Sequence, residues 1–254
     1  MVGNTSVWFR GHAISLAIRE DLLVRQGMSR ATDVVVGGCS AGGMAVQMQC
    51  DSWADSVRAL NPTTKTRCLM DSGWFPWAPP ETPNGDGFNV EWSAGYDRML
   101  NHDNSALNPD CVAAQNSSST WLCSMAQVNA PYIKTPMFVF QSQFDGFQIP
   151  IMEHCENMPC TNENITWWGQ NLVINPINQW LQSPNAVASN SVAFITSCGH
   201  HCGDGPWFGS LQSWNRGNLT AAQVFGQWLT DPASVAGMWI QNSTFPCTTC
   251  GCNK

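Results

Sequence analysis

Residues 38–42 read Gly-Cys-Ser-Ala-Gly, a serine with glycine two positions away on each side. A serine in that pattern suits nucleophilic acyl transfer. A strand that turns sharply into a helix lifts the hydroxyl clear of the sheet, and larger residues at the flanking positions would collide. The turn also aims the amide of the next residue, Ala41, at a developing oxyanion, and a helix starting at Gly42-Gly43 adds a favourable dipole. A hydroxyl needs a base to take its proton, and a carboxylate is the usual group that holds the base. Asp145 and then His201 follow Ser40 in the chain order expected of a nucleophile on such a turn. His12, His102 and His154 are less well placed. Other readings remain open at this level: Asp145-Gly146 is a common turn pair, and a glycine-rich turn can bind phosphate. No Gly-Lys-Ser/Thr follows the turn, which disfavours a P-loop.

The elements that must position these residues are legible in outline. Asp33-Val34-Val35-Val36 predicts a buried strand feeding the serine turn, with a helix from about Met44 to Leu60 behind it. Upstream, residues 13–27 predict an amphipathic helix whose apolar face is Ile14, Ile18 and Leu22. Residues 66–70 predict a strand ending at Asp71-Ser72-Gly73, and residues 74–130 a loop-rich insertion or cap. Residues 137–140 form a strand running into Asp145, and residues 192–195 one running into the Ser197–Cys202 stretch. Thr220 and Gln223 match a capping box ahead of Val224, Phe225, Trp228 and Leu229 at helical spacing. Alternating strands and helices predict an α/β fold, one domain over residues 1–254, with a mostly parallel sheet covered on both faces.

Composition narrows the setting. Hydrophobic residues make up 43% of the 254, which argues for a packed core, whereas charged residues reach only 11%. A net charge of −7 without any Lys/Arg run argues against nucleic acid or anionic membrane as partner. No apolar stretch approaches the roughly 20 residues that span a bilayer. Twelve cysteines and five N-x-[ST] sequons, at Asn4, Asn116, Asn164, Asn218 and Asn242, predict a secreted, disulfide-bonded glycoprotein. Cysteines lie close together at 50/68, 111/123, 155/160 and 198/202, and at 247, 250 and 252, but spacing does not settle their pairing. A zinc reading of Cys198, His200, His201 and Cys202 and of the terminal cluster Cys247, Cys250 and Cys252 is the competing use of those residues. Met1 is not followed by a charged segment and an apolar run, so the expectation is that the natural start lies upstream.

Several stretches together resemble one family. They are Trp8–Gly11, Gly38–Gly43, Cys68–Gly73, Pro131–Pro136, Phe144–Ile149, Ser197–Cys202 and Phe245–Cys252, collinear over nearly the whole chain. They resemble the pectin acetylesterases, a family that includes the Notum carboxylesterases. The resemblance implies an α/β-hydrolase-like fold and a secreted enzyme that removes acyl groups, most simply acetyl groups of pectin, without metal or organic cofactor. It implies Ser40 as nucleophile, Asp145 as acid and His201 as base. His201 is preferred to His200 because the family's histidine directly precedes a cysteine, here Cys202. By the same resemblance Asp71 has a structural role, and Trp74, Phe75 and Trp77 either line the substrate pocket or belong to the core.

The chain departs from the family pattern upstream of the turn. A glycine-rich stretch with tryptophan and cysteine, which supplies further oxyanion donors in the family, has no counterpart among the 39 residues before Ser40. Losing one such donor typically costs about 2.7–4 kcal/mol of transition-state stabilisation, so this chain alone is expected to be weakly active or inactive. Rival expectations are a non-catalytic polysaccharide-binding relative, a lipid-acyl carboxylesterase of the Notum type and a disulfide-rich structural protein.

Overall fold

The structure is a computed structural model, and it describes residues 10–77, 107–152, 160–203 and 206–252. Five strands form one sheet: β1 (Asp33–Cys39), β2 (Lys65–Asp71), β3 (Met137–Ser142), β4 (Val192–Thr196) and β5 (Gly237–Ile240). They lie side by side in chain order and every neighbouring pair is parallel. The register pairs Cys39 with Asp71, Asp71 with Phe140, and Ser142 with Thr196. The C-terminal ends of β1 to β4 therefore share one rim, where side chains from distant parts of the chain can meet.

Alternation along β3 and β4 explains why the sheet is covered on both sides. Met137, Val139, Ala193 and Ile195 join one apolar cluster, while Phe138, Phe140, Val192 and Phe194 join another. Helix α2 (Ala41–Leu60) supplies Met44, Val46 and Cys50 to the first cluster. Helices α3 (Asn162–Trp168) and α4 (Asn175–Leu181), joined by a π-helical turn over Gly169–Ile174, supply Trp168, Val173 and Ile177 to the same side. Helix α5 (Ala221–Thr230) covers the second with Ala221, Val224 and Trp228. Its start carries both halves of the capping box between Thr220 and Gln223. Every residue of β3 and β4 is buried, the signature of strands shielded on both faces. The α/β-hydrolase-like expectation agrees with this architecture.

Three local expectations change. Helix α1 (Gly11–Val24) does not bury its Ile14/Ile18 stripe, since those side chains are 56% and 51% exposed. It buries Arg19 and Leu23 instead. One guanidinium nitrogen of Arg19 donates to Ser52 O, Ser52 Oγ and Ser56 Oγ of α2, and the group lies 4.7 Å from the Trp53 ring centroid. Helix α2 begins at Ala41 rather than Met44, so the glycines after the serine form its first turn. The stretch expected as loop or cap is partly core. Trp74 and Phe75 are buried, and residues 107–130 contain short helical turns stapled by Cys111–Cys123; residues 78–106 lie outside the described residues.

The close approach behind the serine turn also differs from expectation. A Cβ on Gly38 would sit 2.5 Å from Gly42 O, so the first glycine is required. A Cβ on Gly42 would meet nothing within 4 Å, whereas one on Gly43 would lie 2.7 Å from Asp71 O and 2.8 Å from Gly73 Cα. The second sterically essential glycine is Gly43, where α2 presses on the end of β2. Gly43→Ala is expected to cost about 1–3 kcal/mol through overpacking. Gly42→Ala is expected to be neutral or to stabilise by up to about 1 kcal/mol, as alanine does in a helix. Urea unfolding of the two variants reads the difference, and equal stabilities would contradict the assigned contact.

Candidate active site

Ser40 stands at the junction of β1 and α2 with φ 57° and ψ −122°, a conformation that L residues rarely adopt. Its amide donates to Asp71 O at 2.9 Å, which ties the turn to the end of β2. Met44 N donates to Ser40 O at 3.0 Å and closes the first turn of α2. Ala41 is the first residue of that helix, and its N–H belongs to the donors that an α-helix leaves without an internal acceptor.

The loop after β4 brings His201 to this turn. Its Nε2 lies 2.7 Å from Ser40 Oγ, and its Nδ1 lies 2.9 and 2.8 Å from the two oxygens of Asp145. A proton on Nδ1 is donated to the carboxylate, which leaves Nε2 free to accept from the serine hydroxyl. Asp145 is fully buried just beyond β3, and its acceptor capacity is filled. Oδ1 takes the amides of Phe147 and Gln148 at 2.9 Å each, and Oδ2 takes Gln141 Nε2 at 3.3 Å. The carboxylate is held by the backbone around it, so its orientation does not depend on the histidine. Such an arrangement can deprotonate an alcohol and stabilise the imidazolium that results.

The loops bearing Asp145 and His201 are stitched together beneath the site by buried polar groups. Ser142 Oγ donates to Cys198 O and accepts from Phe144 N at 3.0 Å. Gln143 N donates to Thr196 O at 2.9 Å, and its side-chain nitrogen donates to Ser197 Oγ and Gln241 O. Gln241 in turn accepts from Ser197 N at 3.0 Å. These groups follow β3, β4 and β5 directly, so the parallel register delivers Asp145 and His201 to one place.

The end of β2 secures the far side of the histidine loop. Asp71 accepts from Gly203 N on both carboxylate oxygens, at 3.0 and 2.8 Å. Ser72 Oγ accepts from Cys202 N at 2.9 Å and donates to Asp71 Oδ1 at 3.1 Å. The structural role expected of Asp71 is thus visible as a backbone anchor.

The other candidates sort themselves by position. His200 is buried, bonded through Nε2 to Thr196 Oγ1 at 2.8 Å and stacked on Phe140, so it faces away from Ser40. Phe75 presents its edge to the His201 ring at 6.3 Å, whereas Trp74 packs in the core against Trp180. Trp77 is half-buried, with its backbone held by the Gln127 amide. His12 lines a cavity of about 970 Å³ with Asp51, Asp110 and Lys134, which does not include the three site residues. His102 and His154 lie outside the described residues. The five sulfurs of the zinc reading are all oxidised, Cys198 to Cys252, Cys202 to Cys39 and Cys247 to Cys250.

A family profile described as Pectinacetylesterase matches residues 2–252. The chain belongs to the pectinacetylesterase family. It is similar to pectin acetylesterase 11 of Arabidopsis thaliana, at 25% identity over 97% of this chain and 62% of that protein. It is also similar to Arabidopsis pectin acetylesterase 5, at 32% identity over 58% of this chain and 32% of the relative. Human palmitoleoyl-protein carboxylesterase NOTUM matches at 28% identity over 65% of this chain and 34% of its own length. The chain therefore spans between about a third and 62% of these relatives.

Three contributors to this candidate site were not singled out by sequence reasoning. Phe147 is 47% exposed and stacks on His201 with ring centroids 4.7 Å apart. Ser72 anchors the histidine loop, and Gln141 braces the acid. Phe147 and Ser72 lie inside the quoted stretches, but nothing in their types announced a contact with the histidine or its loop. Asp71→Ala is expected to leave the buried Gly203 amide unpaired, a loss of about 1–3 kcal/mol in denaturant unfolding. Faster hydrogen exchange at Gly203 should accompany it, and unchanged exchange would refute the anchor.

Proposed function

We propose that this chain carries the catalytic machinery of a secreted serine carboxylic-ester hydrolase whose substrate is acetylated pectin. The observation that carries the reading is the continuous hydrogen-bonded path from Ser40 Oγ through His201 to buried Asp145. Ser40 attacks the ester carbonyl as His201 Nε2 takes its proton, and Asp145 stabilises the imidazolium. The N–H of Ala41, at the positive end of α2, stabilises the oxyanion. His201 then protonates the departing sugar hydroxyl, leaving acetyl on Ser40. Water, deprotonated by the same imidazole, attacks the acyl-enzyme, releases acetate and restores the serine.

The substrate class follows the relatives named pectin acetylesterases, and five disulfides among the described residues fit an oxidising, extracellular setting. No helix among the described residues is long and apolar enough to cross a membrane.

A fluorophosphonate probe is expected to label Ser40, with labelling abolished in Ser40→Ala. Asp145→Asn should lower turnover of p-nitrophenyl acetate by about 10⁴-fold, because the amide favours the wrong imidazole tautomer. Absence of labelling on folded, oxidised protein would remove the hydrolase reading. Acetate release from acetylated pectin, compared with hydrolysis of p-nitrophenyl octanoate, tests the substrate class. Preference for the octanoate would replace pectin with a longer acyl ester.

A further inference from the structure

The residue before Ser40 and the residue after His201 are joined to each other. Cys39 ends β1, Cys202 follows the histidine, and their disulfide spans a Cα–Cα distance of 5.7 Å across 163 positions of sequence. A short covalent path, Ser40–Cys39–Cys202–His201, thus runs beside the 2.7 Å hydrogen bond between the same two side chains. Two residues of this path have left-handed backbone that L residues keep only where the surroundings hold it: Ser40 has φ 57° and Cys202 has φ 66°. Ser40 directly follows β1, which pairs only with β2 among the described strands. Apart from the disulfide, hydrogen bonds to Asp71 and Ser72 hold the histidine loop on this side.

We propose that Cys39 and Cys202 are positioning residues, and that their disulfide makes the reactivity of Ser40 conditional on an oxidising environment. The inference rests on the reading of Ser40 and His201 as the reacting pair. A displacement of about 1 Å between a nucleophile and its base can cost on the order of 10²-fold in rate, and this bond is the covalent part of what holds that separation, beside the hydrogen bonds to Asp71 and Ser72. It is also open to attack. Cys39 and Cys202 are half-buried, whereas Cys50, Cys68, Cys111 and Cys123 are each 0% exposed. A reductant in solution reaches the crosslink beside the nucleophile before those that tie α2 to β2 and close the 111–123 loop.

The chemistry of release is ordinary exchange with a dithiol. One thiolate attacks a sulfur of the crosslink, expels the other cysteine as thiolate and forms a mixed disulfide. The second thiol of the reagent then closes on the mixed disulfide and leaves as an oxidised ring. The reagent gives up two electrons and two protons, and Cys39 and Cys202 end as thiols. Reoxidation reverses each step.

The test uses the full chain under native conditions with graded dithiothreitol, followed by iodoacetamide trapping and peptide mapping. Fluorophosphonate labelling of Ser40 and hydrolysis of p-nitrophenyl acetate are measured on the same samples, with near-UV circular dichroism as the check on folding. Carboxamidomethylation of Cys39 and Cys202 while Cys50–Cys68 and Cys111–Cys123 stay intact should coincide with a fall of about 10²-fold in labelling rate. The loss should appear in kcat with KM little changed, and reoxidation of untrapped protein should restore it. Cys39→Ser/Cys202→Ser should behave like the reduced protein, and Cys247→Ala/Cys250→Ala like the parent. Labelling within about threefold of the parent after selective reduction would overturn the proposal. So would activity loss that follows the collapse of the near-UV signal, or resistance of this bond until the buried pairs open. If the oxidised parent is not labelled at Ser40 at all, the hydrolase reading fails first and this inference fails with it.

Discussion

Two residues at the end of β2 bear on every part of the site. Asp71 offers its carbonyl to the amide of Ser40 and its carboxylate to the amide of Gly203, while the Ser72 hydroxyl takes the amide of Cys202. Ser72 N donates in turn to Phe140 O on β3. The Ser40 turn and the histidine loop are therefore hung on a common support, and the support is itself fastened to the central strand. Hydrogen bonds that pin backbone amides are less mobile than side-chain contacts alone, and they let two loops more than a hundred residues apart hold a fixed separation.

That support is rigid because the sheet beneath it is closed to water. β3 and β4 are buried throughout, and large side chains such as Phe138, Phe140 and Trp228 fill the space against α5. Where the strands give way to loops, Gln143, Ser197 and Gln241 satisfy one another rather than water. A buried polar cluster of this kind is costly when partly paired and rigid when filled. Here it holds the Asp145 and His201 loops in a single arrangement, with the Asp145 carboxylate fixed in orientation.

The sequence was most readable where local chemistry and tertiary role coincide. The valine run before Gly37-Gly38, the apolar runs of β3 and β4 and the Thr220/Gln223 cap each declare their structure through neighbouring residues alone. The order of Ser40, Asp145 and His201 became meaningful because each follows its own strand. Periodicity failed on α1, since it cannot foresee that Arg19 finds Ser52, Ser56 and Trp53 on α2 and turns the isoleucines outward. Motif logic named Gly42 where the contact with β2 requires Gly43. Cysteine spacing left the pairing open: the neighbours Cys50/Cys68 and Cys111/Cys123 are bonded to each other, whereas the neighbours Cys198 and Cys202 are bonded to Cys252 and Cys39. In each miss the deciding partner is remote in sequence.

The Cys39–Cys202 bond also has a topological meaning. The loop it closes contains α2, β2, β3 and β4, while α1, α5 and β5 lie outside it. Fraying on the N-terminal side can peel away α1, whereas Cys198–Cys252 ties the segment with α5 and β5 back to the ring, and Ser40 and His201 stay on one closed ring of polypeptide. Nicking within that ring, at an exposed loop, would still leave both residues on fragments held together through sulfur. The pair of side chains is thus insulated from the ordinary ways in which a chain comes apart from its ends.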